Sequence, residues 1–342
     1  MSTTSIKQVA QHAGVSVGTV SNVLNRPEMV AASTRQRVQA SIRELGFVRN
    51  ESARALRSGR SRTVGLVVLD VANPFFTDVA RGAEAVTDEQ GSVVSLCNSG
   101  DDPERERRHL ERLEEQRVQG LLITPVDTGS PRLDQLVERG MRVVLVDRRS
   151  GRDNRCSVAV DDVLGGRLAG SHLAEQGHRR IAFVGGPTSI RQVADRLDGV
   201  SRAAEEAGVA LRVLETPSLT VNAGRAAGEA IAELPVSQRP TSVTCANDLL
   251  ALGLLQEMTR RGLRVPQDVA IVGYDDIDYA AAAAVPLSSV RQPRELLGRI
   301  AAELLFEEIN SPEDHEHRQV VFEPELAVRE SSTHRRRRRS NG

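Results

Sequence analysis

The 342-residue chain has only three cysteines and no long apolar run. Cys97, Cys156 and Cys245 lie far apart, which predicts reduced thiols rather than a disulfide framework or a CxxC metal site. No stretch approaches the roughly 18 apolar residues needed to span a bilayer, and residues 1–8 lack a cationic segment followed by an apolar one. We therefore expect a cytoplasmic protein.

Motifs of cofactor-dependent proteins are absent as well. Gly185-Gly186 follows a predicted strand but lacks the GxGxxG continuation, and no GxxxxGK[ST] loop occurs, so no nucleotide cofactor is expected. There is no GxSxG nucleophile elbow, so the chain is not expected to be an enzyme. His315 and His317 stand alone in a charged stretch, which favours a solvent-facing pair and no metal site.

What the chain does contain is an uneven distribution of charge. Its first 62 residues hold ten basic and three acidic residues, a net charge of +7, whereas the remainder carries −8. A basic head on an acidic body favours a nucleic-acid contact through the head, with chance clustering on a solvated face as the alternative. The length and the 39% hydrophobic content indicate two or three globular modules.

The N-terminal sequence predicts three short helices. Ser5 can cap the first helix, Gly14 supplies a left-handed turn, and Ser16 can cap the second helix. The third helix is expected to begin at a cap formed by Ser33 or Thr34. This order is a helix-turn-helix whose second helix enters the DNA major groove, and a helical hairpin used for protein contact is the alternative.

Short side chains cover the outward face of that second helix. Gly18 lets the helix approach base edges closely, Asn22 can pair bidentately with adenine, and Val17 can contact a thymine methyl. Ser21 or Asn25 can contact a phosphate.

Residues 50–58 form a short capped helical pattern. It is too short to be a stable helix alone, so we expect it to order on DNA. Leu56 then becomes a candidate wedge in the minor groove, and a plain linker is the alternative.

From Thr63 onward short apolar runs alternate with amphipathic stretches, which predicts parallel sheets flanked by helices in two α/β lobes. In such sheets ligands bind beyond the carboxyl ends of the strands. Polar residues follow these runs, namely Asp70, Asn73, Asp147, Arg148, Asn247, Asp248, Asp275 and Asp276. Their carboxylate, amide and guanidinium groups suit sugar hydroxyls, although each taken alone fits a turn or a helix cap.

The pattern from Val9 to Asn25, together with Thr34-Arg35, Glu44–Phe47 and Ala53–Leu56, resembles the LacI/GalR family of repressors. Larger polar residues are common in the family at the positions of Val17 and Gly18, and arginine at that of Asn22. The pattern and the resemblance together give the candidate DNA-binding residues Ser5, Ser16, Val17, Gly18, Thr19, Ser21, Asn22, Asn25, Thr34, Asn50, Ala53 and Leu56.

Asn73–Phe76 and Asp147-Arg148 also resemble ribose-type periplasmic binding proteins. Arg196 stands where the family places a sugar-binding arginine, and Gln292 marks a crossing between lobes. The effector contacts implied by the resemblance are Asn73, Phe75, Phe76, Asp147, Arg148, Arg196, Asn247, Asp275 and Gln292.

The resemblance implies an all-α helix-turn-helix head joined to a two-lobed α/β core like a periplasmic binding protein. The expected limits are a DNA-binding domain at 1–49, a hinge and linker at 50–62, an effector and dimerisation domain at 63–331, and a basic disordered tail at 332–342. Within the core, lobe one is expected to comprise 63–161 and 293–323, and lobe two 162–292 and 324–331.

These expectations describe a homodimeric repressor that binds an approximately palindromic operator and is released by a sugar. A corepressor-driven regulator, a sugar-binding protein without gene control and a carbohydrate-modifying enzyme are the alternatives.

Overall fold

The computed structural model describes residues 4–47 and 61–333. It separates into two compact units, Met1–Ser61 and Arg62–Gly342, which are here called the head and the body. The sequence predictions for Asn50, Ala53 and Leu56, and for the arginine-rich tail from residue 334, lie outside the described residues.

The head contains the three predicted helices, and local signals set most of their ends. They are α1 Ile6–Ala13, α2 Val17–Asn25 and α3 Ala32–Glu44, with a 3-10 turn at Pro27–Met29. Ser5 and Gln8 form a capping box on α1, and Gly14 ends that helix with φ 62°. Val9, Val20 and Val38 form the centre of a small core between the helices and are fully buried.

The predicted start of the third helix is wrong. Ala31 is the N-cap and provides no side-chain cap, while Ser33 and Thr34 already lie within the first turn of α3. The 3-10 turn at Pro27–Met29 brings the chain into α3 before either hydroxyl residue can occupy the cap position.

The body is built on two six-stranded sheets with helices on both faces. Its strands are β1 Thr63–Val68, β2 Val93–Asn98, β3 Gly120–Ile123, β4 Arg142–Val146, β5 Cys156–Val160, β6 Arg180–Gly185, β7 Ala210–Glu215, β8 Ser242–Cys245, β9 Ala270–Asp275, β10 Ser288–Arg291, β11 Gln319–Phe322 and β12 Glu325–Ala327. Its helices are α4 Pro74–Glu89, α5 Pro103–Glu115, α6 Pro131–Glu138, α7 Asp162–Glu175, α8 Arg191–Glu206, α9 Val221–Glu233, α10 Asp248–Arg260, α11 Asp278–Ala282 and α12 Arg294–Asn310.

The first sheet has the strand order β11-β5-β4-β3-β1-β2 and is parallel throughout. The second has the order β12-β10-β9-β8-β6-β7 and is parallel except for β12. The central strands of both sheets are buried on both faces over nearly their whole length, as parallel sheets require. Most are apolar runs, although β8 and β10 contain buried serine and threonine residues. The two parallel sheets and the helical head confirm the predicted fold class.

The chain passes between the two sheets at three places. It leaves the first sheet after β5, returns after β10, and leaves again between β11 and β12. Because of these crossings, each sheet with its helices forms one lobe, and residues from both lobes face each other where the strands end.

Glycines allow three pairs of helices to touch backbone to backbone. A Cβ built on Gly82 of α4 would lie 1.9 Å from the carbonyl oxygen of Glu295 on α12. A Cβ on Gly166 of α7 would lie 2.1 Å from the carbonyl oxygen of Arg196 on α8. Gly224 makes the same close approach between α9 and α10. No larger residue fits these contacts without moving a helix.

The C-terminal end of the described chain is part of the second lobe. Ser332 is fully buried and its hydroxyl lies 2.7 Å from both His172 Nε2 and Ser288 Oγ. The predicted start of a disordered tail at residue 332 is therefore too early. Across residues 4–47 and 61–333, no helix is both long enough and apolar enough to cross a membrane.

Candidate functional site

In the head, the outward face of α2 carries the predicted base contacts. Val17, Gly18 and Asn22 are exposed, and Ser21 is partly exposed. They share one face because residues three or four positions apart lie together on a helix, while Val20 and Val23 point into the core. The head therefore presents a surface of short side chains on α2, and such a surface lets a helix approach the base edges in a DNA groove closely.

Other predicted DNA contacts of the head have intramolecular roles. Ser16 accepts a hydrogen bond from the Thr19 amide at 3.0 Å and caps α2, and its hydroxyl lies 2.9 Å from Thr19 Oγ1. Asn25 Nδ2 donates to the carbonyl oxygen of Ser21 at 2.9 Å. Ser5 caps α1, and Thr34 is partly exposed on α3. These side chains fix the helix ends and the polar edge of the α2 surface.

In the body, the carboxyl ends of the two sheets enclose a cleft of about 710 Å³. Eight of the nine predicted effector contacts line it, namely Asn73, Phe75, Phe76, Asp147, Arg148, Arg196, Asn247 and Asp275. The ninth, Gln292, lies behind this wall and donates from Nε2 to Asp275 Oδ1 at 2.8 Å. The cleft thus brings together residues separated by up to two hundred positions.

The first lobe contributes an aromatic corner and a charged pair. Asn73 caps α4 by accepting a hydrogen bond from the Phe75 amide at 3.1 Å. Phe75 and Phe76 pack edge to face, with ring centroids 5.0 Å apart. Asp147 and Arg148 follow β4 directly and are almost fully buried. This wall offers an apolar surface beside a carboxylate and a guanidinium.

In the second lobe, Arg196 of α8 is the centre of a buried network. Its Nε donates to Asp162 Oδ1 at 2.8 Å, and its Nη1 donates to the carbonyl oxygen of Ala246 at 2.6 Å. Nη1 also lies 3.7 Å from Asp275 Oδ1, and the guanidinium stacks 3.7 Å from the ring centroid of Tyr274. With so many partners the guanidinium has a fixed position and orientation at the cleft wall.

Asn73 and Gln192 donate hydrogen bonds that join the lobes inside the cleft. Asn73 Nδ2 donates to Asp275 Oδ2 at 3.1 Å. Gln192 Nε2 donates to the carbonyl oxygen of Asp147 at 2.9 Å and to Asp147 Oδ2 at 2.5 Å. Asp147 Oδ1 and Gln192 Oε1 are buried and have no hydrogen-bond partner among the described protein groups. Buried polar atoms need such partners, so both acceptors suit a donor that a ligand supplies.

The electrostatics of the cleft depend on burial. Burial, together with the nearby carboxylate of Asp162, raises the pKa of Asp147 to about 7, against the lowering effect of Arg148 and Arg196. Burial also raises the pKa of Asp275, against Arg196 and the hydrogen bonds from its amide partners. Both aspartates have left-handed backbone, with φ 56° for Asp147 and 102° for Asp275. Such backbone is uncommon outside glycine and is found at binding sites, where surrounding contacts hold it.

The cleft also contains residues that were not predicted as contacts. Asp101 and Asp127 follow β2 and β3, so the rule of inspecting strand ends could have found them. Gln192 at the start of α8 and the segment 217–220 after β7 could not be found in this way. The strand β7 was not predicted, because it is an edge strand with four of its six residues exposed.

The prediction that His315 and His317 face solvent is wrong. Both rings are partly buried and point toward the thiol of Cys156, which is fully buried. The parallel pairing of β11 with β5 places the segment before Gln319 beside Cys156, a contact that separate stretches of sequence do not reveal.

Comparisons with known proteins agree with both parts of this structure. Residues 5–50 match the family described as bacterial regulatory proteins, lacI family, and residues 171–332 match a periplasmic binding protein-like domain. The chain is similar to the HTH-type transcriptional repressor PurR of Aliivibrio fischeri (strain MJ11), with 35% identity over 96% of this chain and 98% of the relative.

Two solved structures show the same architecture. The transcriptional regulator CelR in complex with cellobiose is 34% identical, with a TM-score of 0.70 over 96% of this chain and 99% of that chain. The Lac repressor dimer bound to operator and the anti-inducer ONPF is 25% identical, with a TM-score of 0.82 over 97% and 100%. The full-length match to repressors, the helix-turn-helix and the two-lobed core together make this chain a member of the LacI/GalR family of DNA-binding transcriptional regulators.

Proposed function

We propose that the chain is a repressor of carbohydrate uptake or catabolism genes and that a neutral sugar bound in the cleft releases it from its operator. The observation that carries this proposal is the chemistry of the cleft lining. Carboxyl groups outnumber guanidinium groups by five to two, the amides of Asn73, Gln192 and Asn247 stand among them, and Phe75 and Phe76 supply an apolar surface.

This lining suits a polyhydroxylated ligand. Hydroxyl groups donate and accept, so a sugar can donate to carboxylates and accept from amides and guanidinium groups at once. An excess of carboxyl groups disfavours a phosphorylated or otherwise anionic ligand. The aromatic rings form one corner rather than two facing walls, so a flat heterocycle would lack a sandwich of rings on which to stack. CelR, a relative of similar sequence, was solved with cellobiose.

The hydrogen bonds that Asn73 and Gln192 donate between the lobes suggest how such a ligand changes the lobe arrangement. Asp147 and Asp275, the acceptors in these bonds, are also predicted ligand contacts. A sugar that engages residues of both lobes binds most tightly at one lobe arrangement, and it stabilises that arrangement by its difference in affinity. A hundredfold release from DNA requires a coupling free energy of about 2.7 kcal/mol.

We infer that the DNA partner is an approximately palindromic operator bound by a homodimer in the cytoplasm. The Lac repressor structure contains a dimer on its operator. In this proposal Val17, Gly18, Ser21 and Asn22 contact bases. The domain limits are 1–49 and 50–62 with the body from 63, and the lobe limits are as predicted from the sequence except that lobe two continues through Ser332. Counterion release makes operator binding fall steeply with salt.

Two measurements on the full-length protein test the proposal. The first is thermal stabilisation by D-ribose, D-xylose, L-rhamnose, D-glucose, D-galactose and cellobiose, with hypoxanthine and guanine as a nucleobase arm. We expect one sugar to raise the unfolding temperature of the wild-type protein and not that of Asp147→Asn, which keeps the side-chain size but loses the carboxylate. Stabilisation by the nucleobases alone would overturn the sugar proposal.

The second measurement is binding to the DNA upstream of the protein's own gene, with and without the stabilising sugar. We expect selective binding over random duplex and weaker binding when sugar is present. Tighter binding with sugar would establish the corepressor alternative. Removing residues 1–60 is expected to abolish operator binding and to leave sugar binding unchanged, because the body is a separate compact unit. A full-length chain that binds sugar but shows no preference for the upstream DNA over random duplex would instead identify a sugar-binding protein without gene control.

A further inference from the structure

A thiol and two imidazoles meet at the edge of the first sheet, away from the cleft lining. Cys156 is the first residue of β5, and β11 runs parallel to it with Gln319 opposite Ser157. The register places Arg318 beside Cys156, so that the Arg318 amide donates to Cys156 Sγ at 3.2 Å. The segment just before β11 is thereby fixed against the start of β5.

The side chains of that segment converge on the thiol. His315 Nε2 lies 3.2 Å from Cys156 Sγ, and His317 Nδ1 lies 3.8 Å from it. The three possible ligand atoms all lie within 4.8 Å of one another, and the two imidazole rings pack edge to face. Neither the sugar cleft nor the α2 surface includes any of the three residues.

We propose that Cys156, His315 and His317 bind one divalent transition-metal ion of the Zn²⁺ class, with a fourth coordination position open to water. One thiolate with two imidazoles is a donor set that Zn²⁺ accepts, at Zn–S and Zn–N distances of about 2.3 and 2.0–2.1 Å. Tetrahedral ligands at those lengths are about 3.3 to 3.6 Å apart. The two measured distances to Sγ, 3.2 and 3.8 Å, lie on either side of this range.

The protonation of the three groups and the surrounding charges are compatible with a cation. Burial lowers the pKa of both His315 and His317, which leaves neutral imidazoles with a free lone pair at neutral pH. Burial raises the pKa of the Cys156 thiol, so the metal takes the place of the thiol proton, which passes to solvent. The nearby arginines are paired, Arg318 with Glu307, Arg142 with Glu308 at 3.5 Å, and Arg155 with Asp134.

The ion would fasten the segment before β11 to β5. The site lies where β11 begins, one strand length from Phe322, after which the chain crosses to β12 in the other lobe. The role that follows is structural, because the ion holds in place a segment with few apolar contacts of its own.

The test is a Co²⁺ titration of the untagged full-length protein, freed of metal by a chelator and kept reduced by a phosphine. We expect one Co²⁺ per chain, a thiolate-to-cobalt charge-transfer band in the near ultraviolet, and displacement by Zn²⁺. The Cys156→Ser variant is expected to lose the band. The Cys97→Ser variant, which removes a half-buried thiol of β2, is the matched control and is expected to keep it.

A second variant keeps the test decisive if Cys156→Ser does not fold. The double variant His315→Gln with His317→Gln alters only the partly exposed segment. We expect this variant to bind Co²⁺ at least about 100-fold more weakly than the wild type. Loss of outer-shell partners alone lowers metal affinity about 10–100-fold. The proposal fails if wild-type protein shows no charge-transfer band in excess Co²⁺. It also fails if the double variant retains wild-type affinity, in which case the cluster is a thiol–imidazole hydrogen bond only.

Discussion

The head and the body arrange their candidate binding residues in opposite ways. In the head, Val17, Gly18 and Asn22 lie within six residues on one exposed helix face. In the body, Asn73, Arg196 and Asp275 come from different elements, are buried, and hold one another through hydrogen bonds and ion pairs. A change on the head surface should therefore affect recognition alone, whereas a change in the cleft should affect binding and stability together.

The largest effect expected of this difference is at Arg196. Arg196→Met removes the cation between the buried carboxylates of Asp162 and Asp275. Loss of one partner from a buried pair costs about 3–5 kcal/mol, so we expect a large fall in the unfolding temperature and no measurable effector binding by calorimetry. At temperatures where the variant remains folded, operator binding should persist without responding to effector.

The matched control is Arg202→Met on the same helix, because Arg202 is exposed and pairs with Asp198 at the surface. It should behave as the wild type, since exposed pairs contribute about 0–1 kcal/mol. Wild-type effector affinity in Arg196→Met would show that the network does not organise the cleft.

A packing change should give the next largest effect. In Gly166→Ala the added methyl group would lie 2.1 Å from the Arg196 carbonyl oxygen, so α8 must move away from α7. We expect a loss of about 1–3 kcal/mol in the free energy of unfolding, measured by urea denaturation, and weaker effector binding. Gly151→Ala has open space around its Cβ and should change stability by less than about 0.5 kcal/mol. Equal effects of the two substitutions would contradict the role of the helix contact.

On the head surface the change should be confined to DNA recognition. Asn22 is exposed, so Asn22→Ala should leave the unfolding temperature and effector affinity unchanged. It should weaken operator binding by about 1–3 kcal/mol, the contribution of one bidentate base contact, when measured by fluorescence anisotropy. Gln39→Ala, an exposed change on α3, is the control. The same loss on random duplex would indicate a phosphate contact rather than base recognition.

The smallest predicted effect is a pH dependence that the body has and the head surface lacks. Burial and the neighbouring Asp162 raise the pKa of Asp147 to about 7. In the proposed function a sugar hydroxyl donates to the ionised carboxylate. Effector affinity should therefore increase by about tenfold from pH 6 to pH 8 and level off above that, when followed by calorimetry. Any weak effector affinity that Asp147→Asn retains should not change with pH, and a wild-type affinity that falls with rising pH would contradict this expectation.

The same shift has a consequence for stability in the absence of effector. The folded state holds the Asp147 proton up to about pH 7, whereas the unfolded chain loses it near pH 4. The contribution of this group to stability is thus present at low pH and is lost as the pH rises through that interval.

What could be predicted depended on whether the signal was local. Ser5, Gly14 and Ser16 mark helix ends through their own side chains or backbone, and the structure places them as predicted. The start of α3 was missed because it is set by the preceding turn rather than by a hydroxyl residue.

Most of the cleft residues could be predicted from one general rule, that the carboxyl ends of parallel strands lie together and form the ligand-binding edge of a sheet. This rule sufficed for Asn73, Asp147, Asn247 and Asp275. It could not locate Gln192, which lies in the first turn of α8, nor the contact of Cys156 with the two histidines. Those contacts depend on which strand lies beside which, and apolar runs alone do not reveal strand order.

The glycine contacts limit the ways in which the body can change shape. Helices that meet backbone to backbone have no compressible layer of side chains between them, so each lobe must move as a stiff block. Any rotation that a ligand induces is then taken up by the few residues at 160–162, 291–294 and 322–325. A spectroscopic label at those three short connections would report the motion, whereas the signal of a label inside either sheet would not change.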